Sequence, residues 1–306
     1  MDGCLQEMPN PLKALDQHVG IALNHYAALL EDHFRCDAIA YVGAIHPVFL
    51  SQYLDIIEAI QRSPEKQNQT NPKRLVIVLT TGGGIVEAVE KMVEITRHFY
   101  DEVFFVIPDA AMSAGTIWCM SGDKIYMDYA SSLGPIDPQV ATSDGRFVPA
   151  LGYLDKVNEL IKKSSGEGNH LSEAEYLMLK NLDLGMLRRY EQARDLSVSL
   201  LKKWLVEYKF KNWNTHRTTN VGTGVTSQEK EERASQIAKD LSDNNRWHSH
   251  GRMIGMKTLQ SEIKLEIDDF SALEPLRTNI RMYSGLLSDY LEKQGIQVMI
   301  HNRRVS

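Results

Sequence analysis

The chain has 306 residues, 43% hydrophobic and 24% charged, which is the composition of a globular protein and excludes disordered and fibrous architectures. Its 34 lysines and arginines against 40 aspartates and glutamates give a net charge of −6, so no cationic excess exists to bind a phosphate backbone, and we expect no nucleic-acid partner. Three cysteines at irregular spacing indicate reduced thiols rather than a disulfide framework: Cys4, Cys36 and Cys119.

The sequence shows no secretory or membrane segment. An aspartate follows Met1 with no apolar run behind it, which is not a secretory signal. Apolar stretches such as residues 75–79 have the length of a strand and fall far short of the roughly 20 residues that span a bilayer. We therefore expect a cytoplasmic protein without a membrane anchor.

The first elements alternate between helix and strand. Apolar residues at steps of three and four predict an amphipathic helix over 12–34. A short apolar run predicts a strand over 38–42 that ends at Gly43, and residues 48–62 again have a helical pattern. The polar, proline-bounded residues 63–72 predict a surface loop.

Two apolar runs, at 75–79 and 103–107, are typical of parallel strands buried on both faces, and residues 124–128 predict a third strand. A glycine turn joins the first run to a helical pattern over 86–96, and residues 111–116 open a short apolar helix after the second. This repetition predicts an α/β fold with a largely parallel sheet.

After Pro149 the alternation of strand and helix patterns gives way to a mostly helical pattern, which predicts three parts of the chain. Residues 1–150 hold the N-terminal helix and the α/β core, 151–245 form a mostly helical insertion, and 246–306 form an α/β element that returns to the core. Two capping boxes predict helix starts in the insertion, Ser172 with Glu175 and Thr226 with Glu229. Aromatic residues near its end favour packing or an oligomer contact over base stacking: Trp204, Tyr208, Phe210 and Trp213.

Two turns at strand-to-helix junctions carry the residues that could take part in binding or catalysis. The three glycines 82–84 remove every β-carbon from the first turn, which either binds an oxyanion or phosphate or is simply a tight turn with positive φ. It has neither the P-loop ending nor the dinucleotide-binding spacing. Ser113 lies in the second turn, as a helix N-cap or as a raised nucleophile. Both turns are expected at the carboxyl edge of one sheet, where α/β proteins bind ligands.

Four motifs follow one another along the chain: Thr-Thr-Gly-Gly-Gly at 80–84, Met-Ser-Ala-Gly-Thr at 112–116, Ser-Ser-Leu-Gly-Pro-Ile-Asp-Pro-Gln at 131–139 and Ser-His-Gly-Arg at 249–252. In this order they resemble the Clp-protease and crotonase superfamily. The resemblance is strongest to its signal-peptide-peptidase-A-like branch, the serine dehydrogenase proteinase family.

The resemblance implies a spiral β-β-α core and peptide-bond hydrolysis through an acyl-enzyme on Ser113. It implies an oxyanion hole from the backbone N–H groups of Gly83 and Ala114, beside further substrate-binding glycines: Gly82, Gly84 and Gly134. Relatives usually assemble into closed rings or stacks, which implies a homo-oligomer. The substrate would be a peptide or protein, which a partner or an unfoldase could deliver, and we expect no cofactor.

The general base for Ser113 has several candidates. The Clp branch has a histidine in an element like residues 133–139, where this sequence has Asp137 instead. The signal-peptide-peptidase branch uses a lysine, for which Lys156 is the nearest candidate, although a solvated surface lysine is the simpler interpretation. His248 and His250 offer another route, because in a strand they would face the same way, and Asp137 could orient one of them.

The histidine pair is not expected to bind a metal, because no third ligand has a suitable spacing.

Taken together, the four motifs predict a serine endopeptidase that cleaves peptides or unfolded protein segments. One alternative is a crotonase-type acyl-coenzyme A hydratase or isomerase, against which Ser113 and residues 131–139 argue. The other is a non-catalytic or partner-activated scaffold, which would account for the missing histidine near Asp137.

Overall fold

The computed structural model describes residues 11–63, 73–137, 139–141, 147–165, 171–216 and 220–304. Cys4 and nearly all of the loop predicted at 63–72 lie outside these ranges. The first ten elements are α1 (Pro11–Phe34), β1 (Asp37–Gly43), α2 (Leu50–Arg62), β2 (Arg74–Thr80), α3 (Val86–Phe99), β3 (Glu102–Ile107), β4 (Ala110–Ala111), α4 (Ala114–Cys119), β5 (Lys124–Met127) and β6 (Ser132–Leu133). The others are β7 (Gln139–Ala141), β8 (Phe147–Pro149), α5 (Ala150–Ser164), α6 (Glu173–Lys180), α7 (Leu184–Trp204), α8 (Ser227–Ser242), α9 (Asn244–Trp247), β9 (Ile254–Gly255), α10 (Met256–Ser261), β10 (Asp268–Asp269), α11 (Leu276–Gln294) and β11 (Val298–His301).

A six-stranded sheet with the order β10-β5-β3-β2-β1-β11 forms the centre of the protein. Its strands pair in parallel except for β11, which runs antiparallel to β1. Alternate residues of β2 belong to different apolar clusters, Ile77 to one face and Val76 to the other, so both faces are buried. This burial explains the continuous apolar runs in the sequence, and the predicted parallel α/β sheet is confirmed.

Helices cover both faces of the sheet. Helices α1 and α11 pack over one face, where Leu30 and Tyr283 are buried. The other face is covered by α2, α3 and α4, and also by the end of α7 with α8, through residues such as Leu201 and Ile237. The second half of the region 151–245 therefore contributes to the main core. Both predicted capping boxes are present, at the starts of α6 and α8.

The turn after β2 packs so closely against its neighbours that two of its glycines, Gly83 and Gly84, have no room for a side chain. Gly83 has a φ of +105°, and a β-carbon on it would lie 2.9 Å from the Met112 carbonyl oxygen and 2.9 Å from the Ser113 β-carbon. Gly84 has a φ of +151°, and its β-carbon would lie 2.0 Å from the Ile45 carbonyl oxygen. Gly83 and Gly84 thus allow the backbone of this turn to pack directly against the Ser113 turn and against Ile45.

Replacing Gly83 by alanine tests this contact. We expect Gly83→Ala to lower the free energy of unfolding by roughly 2 kcal/mol or more, because it adds both backbone strain and a clash with the Ser113 turn. Gly82→Ala is the matched control, since no atom lies within 4 Å of its added β-carbon. It should change stability by less than about 1 kcal/mol. Urea unfolding of both variants makes the comparison, and equal losses would contradict the close approach.

His301 on β11 is held neutral in the folded protein. Its Nδ1 lies 2.6 Å from the Tyr283 hydroxyl, and burial lowers the pKa of the imidazole to about 4. The unfolded chain takes up this proton near the ordinary pKa of about 6.5, whereas the folded chain does not until about pH 4. The contribution of His301 to stability is therefore complete above pH 6.5 and decreases as the pH falls.

We expect acidification from pH 6.5 to pH 4 to lower the free energy of unfolding by about 3 kcal/mol through this residue, and His301→Asn to remove that part of the dependence. Chemical denaturation at a series of pH values measures both effects. The control is His98→Asn, because His98 is exposed on α3. An unchanged pH dependence in His301→Asn would contradict the assignment.

Candidate functional site

Ser113 occupies the sharp turn between β4 and α4. Its φ of 53° and ψ of −116° lie in a region that residues other than glycine rarely adopt. The hydroxyl does not cap the helix, and it makes no hydrogen bond within the part of the chain that the structure describes. The N-cap interpretation is therefore not realised: Ser113 is strained, half-buried and has an unbonded hydroxyl.

Hydrogen bonds on both sides hold this strained turn in place. From the β2 side, the Thr81 carbonyl accepts a 3.0 Å bond from the Met112 N–H. From the other side, the Thr116 hydroxyl donates to the Ala111 carbonyl over 2.8 Å and accepts from the Gly134 N–H over 2.9 Å. Sequence reasoning did not single out Thr116; its position in the first turn of the short helix after Ser113 was the available signal.

The candidate oxyanion donors differ in their hydrogen bonds. Ala114 is the first residue of α4, so its N–H has no acceptor in the helix and has none elsewhere among the described residues. The Gly83 N–H instead donates to the Thr81 hydroxyl over 3.0 Å. Within the described ranges the Gly84 N–H is unbonded, and Gly134 has both its N–H and its carbonyl bound to Thr116.

A small sheet of β4, β6 and β9 collects residues from three distant parts of the sequence. Strand β4 pairs in parallel with β6, and β6 pairs antiparallel with β9. Ser113 follows β4 and Asp137 follows β6, whereas His250 precedes β9. Because β9 runs the opposite way, all three residues leave the sheet at the same end.

His250 and Asp137 form a hydrogen-bonded pair at this end. The His250 Nδ1 lies 3.0 Å from Asp137 Oδ1, with side-chain exposures of 17% and 1%. An ionised carboxylate only accepts hydrogen bonds, so Nδ1 carries the proton and Nε2 of the neutral ring is left as an acceptor. The other carboxylate oxygen, Oδ2, is buried without a partner in the described residues.

The other two candidate bases are exposed. His248 ends α9 in the left-handed conformation, with a φ of 60°, and residues 248–251 form a turn. The expectation that both histidines face the same way along a strand is therefore wrong, because His248 closes a helix and is exposed whereas His250 is half-buried. On α5, the Lys156 ammonium lies 3.0 Å from Glu159, and 58% of the lysine side chain is exposed.

No helix within the described ranges combines the length and the apolar character needed to cross a membrane.

The chain is similar to two curated proteins of Methanocaldococcus jannaschii, both described as uncharacterized. It is 33% identical to MJ0137 over 86 residues, which are 28% of this chain and 28% of that protein. With MJ1495 the identity is 26% over 137 residues, 44% of this chain and 42% of the relative. The chain thus spans less than half the length of these relatives.

Among solved structures, a mutant of the 1510-N membrane-bound stomatin-specific protease aligns with a TM-score of 0.44 and 13% identity, over 79% of this chain and 82% of that one.

A family model described as ClpP-like SDH-type serine proteinase matches residues 23–219. The match includes the glycine turn, Ser113 and Asp137, and it ends before His250. It extends over more than half of the chain and bears out the predicted Clp-type α/β fold. The chain therefore belongs to the ClpP-like SDH-type serine proteinase family.

Proposed function

We propose that the protein is a serine endopeptidase in which Ser113 is the nucleophile, His250 the general base and Asp137 the group that orients the base. The observation that carries this proposal is the His250–Asp137 hydrogen bond at the end of the small sheet from which Ser113 also emerges. Family membership supports serine peptidase chemistry in general. The exposure of His248 and Lys156 favours His250 among the three candidate bases.

The reaction follows from these positions. The Ser113 Oγ attacks the carbonyl carbon of the peptide bond while its proton moves to His250 Nε2. His250 then protonates the leaving amine nitrogen as the C–N bond breaks, and an acyl ester remains on Ser113. A water molecule, deprotonated by the same nitrogen, hydrolyses the ester and restores the serine. Asp137 stabilises the imidazolium that forms in each half of the cycle.

Backbone N–H groups would stabilise the negative charge on the carbonyl oxygen. Ala114 supplies the first donor, because its N–H is unbonded at the start of α4. The second comes from the glycine turn, where Gly84 has an unbonded N–H and the predicted donor, Gly83, would first have to leave Thr81. Such donors are worth about 3 kcal/mol each in comparable sites.

The substrate class proposed is an unfolded protein segment or a peptide, which fits the proteinase family. Gly82 and Gly84 are exposed and have no side chains, which leaves their backbone open to an extended substrate. Gly134 does not fit the substrate-binding role expected of it, because it is buried and both its backbone polar groups are bound to Thr116. We also propose that the protein forms a homo-oligomer that encloses the site, and that a partner or an unfoldase delivers the substrate to it.

Fluorophosphonate labelling tests the nucleophile. We expect one adduct on Ser113, located by peptide mapping, because an activated serine Oγ beside free N–H donors attacks the phosphorus of this reagent and displaces fluoride. Ser113→Ala should abolish labelling and peptide hydrolysis. The matched control is Ser249→Ala, since Ser249 is an exposed serine beside the proposed base. Peptide hydrolysis that persists in Ser113→Ala would overturn the proposal.

Substitution of the candidate bases tests the assignment of His250 as the general base and of Asp137 as the group that orients it. His250→Gln should lower kcat/KM by a factor of roughly 10³ or more, and Asp137→Asn by a comparable factor, because each removes proton transfer from Ser113. His248→Gln and Lys156→Met should retain activity within about threefold. The measurement is kcat/KM on a fluorogenic peptide between pH 5 and pH 9. A loss in Lys156→Met with full activity in His250→Gln would instead assign a lysine base.

A further inference from the structure

A cavity of about 1080 Å³ lies at the amino edge of the central sheet. Its walls include the first residues of two strands, Arg74 of β2 and Lys124 of β5, and also Asp268 of β10. The glycine and Ser113 turns follow the opposite, carboxyl ends of the sheet. A seven-residue strand spans roughly 20 Å, so the cavity is separate from the proposed active site.

The cavity contains a buried cation, Lys209. Lys209 lines the wall with 9% of its surface exposed, and its ammonium makes no hydrogen bond or ion pair within the described part of the chain. Burial lowers the pKa of this lysine to about 8. An unpaired buried charge is costly, so an anion that reached Lys209 from the cavity would be stabilised.

Glu266, Asp268 and Asp123 lie close enough to favour the charged form of Lys209 through space, and three of the four acids that line the cavity are already paired with other cations. Glu102 is paired with Arg74 at 2.6 Å, Asp123 with Arg97 at 2.9 Å and Asp268 with Lys124 at 3.4 Å. Among the lining residues, five lysines and arginines face four aspartates and glutamates. An excess of one positive charge suits a ligand with a single negative charge and disfavours a polyphosphate.

Aromatic side chains form part of the wall of the same cavity. Phe210 and Trp213 pack edge to face with their ring centroids 5.4 Å apart, and Phe104 and Tyr126 contribute rings from the sheet. The first two, which the sequence predicted to pack or to contact another subunit, therefore also border a cavity. A cation beside aromatic rings fits an anion that carries a flat apolar body.

The backbone at Lys209 is also uncommon. Residues Leu205–Lys209 form a π-helical turn at the end of α7, closed by a 2.7 Å bond from the Phe210 N–H to the Leu205 carbonyl. Turns of this kind are rare and are frequent at functional sites. We propose that this cavity binds an aromatic monocarboxylate, whose carboxylate pairs with Lys209 and whose ring packs against Phe210 and Trp213.

Isothermal titration of the full chain with 2-naphthylacetate and its neutral amide, 2-naphthylacetamide, tests the proposal. The acid should bind at least tenfold more tightly than the amide. Lys209→Met should weaken binding of the acid at least tenfold and leave the amide unaffected, whereas Lys203→Met, at an exposed position of the same helix, should change neither. Trp213→Leu should weaken both probes, because it removes part of the shared aromatic wall.

The stability of Lys209→Met separates a ligand site from a structural role. Without ligand this variant should melt at the same temperature as the wild type or higher, because it removes an unpaired buried charge. Equal affinity for acid and amide, acid binding that survives Lys209→Met, or a lower melting temperature of that variant would each overturn the proposal. Binding should persist in Ser113→Ala, so the result does not depend on the proposed peptidase activity.

Discussion

The contact between the glycine turn and the Ser113 turn is the constraint on which the site depends. Gly83 meets the Ser113 β-carbon where a side chain would clash, and both residues have positive φ values. Neither conformation is favourable by itself, and each is held by the strand that precedes it. The buried parallel sheet therefore serves as a rigid frame, and the strain at its carboxyl edge leaves a serine hydroxyl and two N–H groups without partners.

The polar and charged groups around the two candidate sites, at opposite edges of the sheet, differ. Around the glycine and Ser113 turns at the carboxyl edge lie backbone amides, a serine and the His250–Asp137 pair, whereas farther along the same edge Asp128 is ion-paired with Arg277 and Arg281. At the amino edge, ion pairs such as Arg74–Glu102 surround Lys209, a buried lysine whose ammonium makes no hydrogen bond among the described residues. The first arrangement suits charge that develops and disappears during a reaction, whereas the second suits a charge that a ligand brings permanently.

The sequence predicted the features that depend on local patterns. The strands, the capping boxes and the expectation of two turns at one edge of the sheet follow from apolar runs, side-chain spacing and consecutive glycines. Contacts between distant segments could not be read in this way. The pairing of His250 with Asp137 depends on the antiparallel entry of β9, and the bond from Gly83 to Thr81 depends on a single side-chain rotation. The strand expected at His248 fails because buried Trp247 ends a helix there.

The small sheet of β4, β6 and β9 has a consequence for biosynthesis. His250 and Asp137 are separated by 113 residues of sequence, and β9 can join β6 only after α5, α6, α7 and α8 have been synthesised. Contacts of such long range form late in folding, because the chain between them must first be ordered. Under the proposed mechanism, a nascent chain would thus carry Ser113 without its proposed base until the residues through β9 had left the ribosome.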